Sequence, residues 1–252
     1  SQWYLNDLVE WIQSQPNLNL SALLIQNNSQ KKIPLLKDSL QNILNRVLFK
    51  FINVIEKKLI FLKYPKYKKH FYKFDLKKFN VKEISLIKDD KSSKNGTYFQ
   101  AESINDVKKL NLDLIIRGGN DILKGDILSS CKYGIISFHH GDNTFNRGGP
   151  SGFWEVYERN PKTGFTIQIL DENLDGGKVL KRGNFLTEQF YTLNEIILKE
   201  RSNFYLKKIL LEISLLNYLP PFEDSYPYYK KIYKSPNFVN SLKYLFSRCY
   251  DK

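Results

Sequence analysis

Two of the chain's three histidines stand side by side in the stretch SFHHGDNTFNRGGPSGFWEV, Ser137 to Val156. An apolar run, YGIISF, leads into them, and Gly141, Asp142, Asn143, Arg147, Gly148, Gly149 and Pro150 follow. An imidazole changes charge near neutral pH, so a histidine in a cleft beside a carboxylate can carry a proton. Neighbouring side chains of a strand point to opposite faces, so only one of His139 and His140 can face such a cleft. By residue type alone, that histidine is either structural or half of an acid–base pair. Asp175, in LDGG, is either an ordinary turn aspartate or the carboxylate of the pair. Two more polar stretches close apolar runs: Arg117 to Asn120 (RGGN) and Asp171 to Gly177 (DENLDGG). The glycines after Arg117 could cradle a phosphate, a weak signal by itself.

Elements that alternate in type must bring these stretches together. Leu5, Leu8, Val9 and Ile12 repeat at helical spacing. Leu20 to Gln26 reads as a buried strand, Asp38 to Leu62 as a long amphipathic helix and Val81 to Ile87 as a short strand. Ile104 to Leu110 and Asp121 to Leu128 read as short helices. Leu112 to Gly119 and Tyr133 to His140 read as buried strands. A helix is expected around Ser151 to Arg159, then strands at Gly164 to Leu170 and Lys178 to Phe185, and a long helix over Tyr191 to Leu216. Pro220 to Pro236 reads as a tyrosine- and proline-rich linker, and Asn237 to Tyr250 as a last helix. The alternation predicts an α/β fold with a doubly wound, mostly parallel sheet and a short helical C-terminal tail. The division expected is an α/β domain over residues 1–186 and a helical extension over 187–252. In such sheets ligands bind beyond the carboxyl ends of the strands, where all three polar stretches fall.

Composition narrows the classes. With 252 residues, 42% of them hydrophobic, the chain can bury a sizeable core. It contains no apolar run of 18 residues and no secretory signal at Ser1 to Gln13, so no membrane partner is expected. Cys131 and Cys249 lack metal-like spacing, which suits a reduced, cytoplasmic protein. With three histidines in all, no metal site is expected. The net charge of +13 suits an anionic partner such as a nucleotide, a folate, nucleic acid or a membrane surface. For most of the lysines a solvated surface is the plainer reading. The basic run Phe61 to Phe79 interleaves lysines with aromatics and reads better as a wet loop with aromatic anchors than as a nucleic-acid site. The sequence holds no methionine and its first element reads as a helix, so an initial strand is expected to be missing from it.

Joint order and spacing add a resemblance. NDILKGDIL (Asn120 to Leu128), SFH (Ser137 to His139), NRGGPSGFWEV (Asn146 to Val156), TGFTIQIL (Thr163 to Leu170) and LDGGKVL (Leu174 to Leu180) follow one another. Together they resemble the formyltransferases that use 10-formyltetrahydrofolate, a family with methionyl-tRNA, glycinamide ribonucleotide and nucleotide-sugar members. The likeness is close from Leu112 to Leu180 and extends by topology over much of the chain.

The resemblance implies one-carbon group transfer to a primary amine, with 10-formyltetrahydrofolate as donor. It gives His139 the polarising of the formyl group, and Asp175 the orienting of that histidine and help in deprotonating the amine. Ser137 departs from the family pattern, which has asparagine there. A serine hydroxyl is shorter and donates one hydrogen bond, so Asn143 or His140 is expected to compensate. The resemblance places the pterin against main-chain groups of two loops, which gives Arg117, Gly118, Gly119, Asn120, Ile122, Leu123 and Asp171 as cofactor-binding residues. Asn143, Arg147, Gly148 and Gly149 are the expected acceptor-binding residues. Only 68 residues follow Asn184 and they read as helical, which argues against tRNA as acceptor. A nucleotide-linked amino sugar is the first expectation for the acceptor. Glycinamide ribonucleotide, methionyl-tRNA and a non-catalytic binding protein of this fold remain as alternatives. A homodimer is one arrangement open to the chain.

Overall fold

Strand pairing gives the frame, and its direction follows from the connections. The computed structural model describes residues 3–27, 40–73, 75, 78–93, 95–119, 121–142, 147–172, 177–224 and 232–250. The chain opens with α1 (Trp3–Ser14), whose Tyr4, Leu8 and Ile12 are buried one turn apart. β1 (Leu23–Asn27) and β2 (Glu83–Ile87) pair in parallel, with α2 (Leu40–Lys63) between them in sequence. α3 (Ala101–Lys108) precedes β3 (Ile115–Arg117), which pairs in parallel with β4 (Ile135–His139).

β5 (Arg147–Gly148) and α4 (Phe153–Tyr157) lead to β6 (Lys162–Ile169) and β7 (Lys178–Leu186). The sheet order is β3-β4-β6-β7, and β6 and β7 both run antiparallel to their neighbours. Only eight residues, 170–177, separate β6 from β7. That is too short for a parallel crossover, which needs a dozen residues or more. Within this sheet parallel pairing is thus confined to β3 and β4.

Helices cover both faces of this sheet, as a doubly wound fold requires. Ile136, Phe165, Ile167 and Leu180 pack on one face against Leu8 and Ile12 of α1 and against α5 (Tyr191–Leu216). Ile135 packs on the other with Ile104 and Val107 of α3, and with Ile127 of a 3₁₀ turn. α5 contributes to three clusters, through Leu198 to the first, Tyr191 to the one that holds Phe153, and Leu193 and Ile196 to a third. Its carboxyl end is closed by Asn217 in the left-handed conformation at φ 57°. The chain ends with β8 (Ile232–Tyr233) and α6 (Phe238–Tyr250).

Buried Glu56 of α2 ties the helices together. It accepts hydrogen bonds from the Thr192 amide at 2.7 Å, in the first turn of α5, and from the Tyr244 hydroxyl of α6. Burial pushes its carboxyl up, and those two donors offset part of the effect.

Three local expectations are corrected. Residues 121–128 form no α-helix. Thr97 and Ile122 share a backbone hydrogen bond of 2.6 Å that keeps the segment extended, and helical geometry is confined to a 3₁₀ turn over Gly125–Ser129. Among its described residues the basic run 61–79 is largely exposed with buried aromatic anchors, as read, but much of it is not a loop. It completes α2 and continues as a 3₁₀ helix, Pro65–Phe71, that buries Tyr67 and His70. His70 pairs with Glu200 of α5 at 2.8 Å, and Lys69 lies 4.3 Å from the ring of Trp3. The segment read as a linker contains β8, which pairs with β5; its residues 225–231 lie outside the described residues.

β1 and β3 flank an apolar groove of about 990 Å³ that reaches Arg117 and Gly118 and is lined by Leu24, Ile25 and Ile115. Among the described residues no helix is long and apolar enough to cross a membrane.

Candidate active site at the ends of β3 and β4

Alternation along two paired strands assembles the site. In β4, Ile135, Ser137 and His139 share one face, and Ile136 and Phe138 share the other. The first face is apolar at Ile135, where α3 covers it, and turns polar toward the strand's carboxyl end. β3 pairs Arg117 with Ser137, so the guanidinium and the hydroxyl stand together. Arg117 Nη1 donates to Ser137 Oγ at 3.0 Å. Ser137 is 2% exposed, which makes this contact largely dry.

β6 adds Gln168 opposite Ser137 and Thr166 opposite His139. The Gln168 amide is buried, and its Oε1 has no hydrogen-bond partner among the described residues. The His139 Nε2 is enclosed as well. A guanidinium, a hydroxyl, an imidazole and an amide therefore share one polar patch at the strand ends, enclosed enough for hydrogen bonds to gain strength. Gln168 escapes a reading of the sequence by motif. Its signal is the alternation of Thr166 and Gln168 in TIQI, on the face opposite Phe165 and Ile167.

His140 turns the other way. Its ring stacks on Phe138 with centroids 5.3 Å apart and meets the edge of Tyr4 at 5.6 Å. The expectation that His140 could compensate for Ser137 is therefore corrected, because its ring lies across the sheet from the hydroxyl. Burial holds its pKa down to about 3, helped by the charge of Lys199. Burial likewise pushes the Tyr4 hydroxyl up to about 12, against the pull of Arg117.

His140 is neutral when folded and binds a proton only when the chain unfolds, since its folded pKa lies below the ordinary value of 6.5. The stability it confers is full above that value and is lost as the pH falls toward about 3. His140→Phe keeps the aromatic packing and removes the proton site. Between pH 7 and pH 5 the variant should lose about 2 kcal/mol less stability than the wild type. Urea unfolding at the two pH values measures this, and equal losses would refute it.

The loop after β3 is strapped to the first sheet through Asp121, which the motif reading passed over. Asp121 accepts from Gln26 at 2.5 Å and from Lys88 at 2.9 Å, and these bonds hold its carboxyl below the usual range. Gly118 lies tight against Leu5, while Gly119 has open space where a Cβ would stand. Ile122 and Leu123 are held alongside Thr97. Glu172, next to Asp171, accepts from the amide of Gly125, two residues beyond Leu123, at 2.9 Å.

After β4, the backbone of Arg147 and Gly148, two of the residues expected to bind the acceptor, pairs with β8, and Gly149 N donates to Tyr233 O at 3.2 Å. Trp154 Nε1 donates to Gly149 O at 3.2 Å and to Lys234 O at 3.0 Å. Asn120, Asn143 and Asp175 lie outside the described residues. Among the described residues no group of three or more histidine, cysteine, aspartate and glutamate side chains is placed to hold a metal ion.

The chain resembles formyltransferases in sequence. It is 31% identical over 96 residues to the methionyl-tRNA formyltransferase of Rickettsia rickettsii (strain Iowa), covering 38% of this chain and 32% of that protein. It is 34% identical over 82 residues to the methionyl-tRNA formyltransferase of Bacillus subtilis (strain 168), covering 32% and 26%. The chain thus spans about a third of the length of the curated relatives it matches. No family model matches it. Among solved structures, phosphoribosylglycinamide formyltransferase from Streptococcus pneumoniae TIGR4 matches at a TM-score of 0.42 and 18% identity, over 56% of this chain and 78% of that one. The formyltransferase PseJ from Anoxybacillus kamchatkensis, in complex with a UDP-linked formamido sugar and tetrahydrofolate, matches at 0.41 and 17%, over 90% of each chain.

Proposed function

We propose that this chain is an N-formyltransferase that moves a formyl group from 10-formyltetrahydrofolate to a primary amine carried by a nucleotide-linked sugar. The observation that carries the reading is the polar patch at the ends of β3 and β4, where His139 shares a face with Ser137 and Arg117. The patch suits the donor chemically. A formyl oxygen needs hydrogen-bond donors where negative charge builds, and three donor-bearing side chains stand there. The buried Oε1 of Gln168 offers an acceptor for an N–H.

When bound, 10-formyltetrahydrofolate supplies the formyl carbon as electrophile. In the overall exchange the amine nitrogen bonds to that carbon and the bond from the carbon to the folate nitrogen breaks. One proton leaves the amine and one reaches the folate nitrogen. His139 is the residue proposed to carry the proton, with Asp175 proposed to orient its ring. Arg117, Gly118, Gly119, Asn120, Ile122, Leu123 and Asp171 are proposed to line the folate. Asn143, Arg147, Gly148 and Gly149 are proposed to face the acceptor. An anionic acceptor suits the net charge of +13.

Calorimetry with 5-formyltetrahydrofolate, and transfer of labelled formyl to amino-sugar nucleotides, glycinamide ribonucleotide and methionyl-tRNA, test the reading. Binding of the folate with transfer to an amino-sugar nucleotide is the expected result. Transfer to one of the other two amines would replace the acceptor. Folate binding without transfer to any amine would make the chain a binding protein, and absence of both would overturn the reading.

A further inference from the structure

We infer that Arg117, positioned by Ser137, is the hydrogen-bond donor to the formyl oxygen, the role for which resembling enzymes carry asparagine at the position of Ser137. The inference rests on the proposed formyl transfer and deepens it by assigning a catalytic residue.

Three observations carry it. The parallel register of β3 and β4 sets Arg117 directly beside Ser137, and the 3.0 Å bond between them joins the two side chains into one unit. Ser137 and His139 share a face of β4, so that unit adjoins the imidazole. The unit is also enclosed: Ser137 is 2% exposed and the Arg117 Nε is buried.

The chemistry is consistent with the exchange. A serine hydroxyl has a short arm and one proton to donate, whereas an amide reaches further and donates two. A guanidinium carries five N–H donors in a rigid plane, and Nη1 donates to Ser137. Its charge also makes it a stronger donor than a neutral amide to an oxygen that becomes negative. Ser137 then has a definite task. By accepting from Nη1 it fixes the plane of the guanidinium, which a flexible arginine stem alone would not hold.

The test compares Arg117→Met, Arg117→Lys and the double variant Arg117→Met/Ser137→Asn with the wild type. Arg117→Met should lower the rate of formyl transfer by about 10²–10³, the usual effect of losing one such donor. Arg117→Lys keeps the charge and should fall between it and the wild type. The double variant restores an amide and should recover at least about tenfold over Arg117→Met, a rescue that a merely structural arginine would not show.

A second readout needs no turnover. Calorimetry should show the wild type preferring 5-formyltetrahydrofolate over tetrahydrofolate, and Arg117→Met losing that preference. If the wild type transfers formyl while Arg117→Met and Arg117→Lys both keep its rate and preference, the inference fails and the proposed function stands. If the wild type transfers to no amine yet shows the Arg117-dependent preference, the transfer reading fails and the Arg117 contact stands. A wild type that binds neither folate overturns both.

Discussion

His139→Ala should reduce formyl transfer by about 10²–10⁴, the usual contribution of a positioned acid–base group. The effect belongs in kcat, because the proposed task of the ring is to carry a proton during the exchange rather than to hold the ground state. The ring sits at the end of β4, outside the clusters that hold the sheet together, so the variant should remain folded. His139→Gln supplies the discriminating case. Its amide can still donate a hydrogen bond, but it cannot take up a proton. A loss as large as that of alanine identifies proton transfer, and near-complete retention identifies hydrogen bonding alone. Steady-state assays of both variants, with thermal unfolding as a check on folding, settle the role. A loss below about tenfold in both would remove His139 from the chemistry.

Gly148→Ala should cost about 3 kcal/mol or more in stability, combining backbone strain with a forced displacement. The residue has φ 103°, a conformation that side chains seldom adopt, and an added Cβ would stand 2.0 Å from the carbonyl oxygen of Tyr233. Relief requires β8 to leave β5, and Trp154 would then lose its hydrogen bond to Lys234 O. The variant should show a lower urea midpoint and a shifted tryptophan emission. Gly119→Ala serves as control, since a Cβ there meets nothing within 4 Å; it should change stability by no more than about 0.5 kcal/mol. Equal midpoints for Gly148→Ala and the wild type would show that β8 does not depend on this glycine.

Much of the architecture is legible in local pattern because its cause is local. α5 extends over Tyr191–Leu216, the range that sequence spacing gives, since apolar residues recur on its successive turns. β4 follows from an apolar run that ends at a glycine turn, and the opposed directions of His139 and His140 follow from the pleat of one strand. The order of motifs from Asn120 to Leu180 carries the likeness to formyltransferases, which is a property of the linear chain.

What tertiary structure alone decides is which strand lies beside which, and in what register. Arg117 and Ser137 stand 20 positions apart, and nothing within either segment requires them to touch. Ile135 is buried in a cluster against which partly buried Ile115 packs, the two pair in the parallel register, and that register brings the guanidinium to the hydroxyl. Gln168 reaches the same patch only because β6 returns antiparallel beside β4. β8 is two residues long, too short to show a period in the sequence. It exists as a strand because Gly148, without a Cβ, lets the backbone of Tyr233 approach.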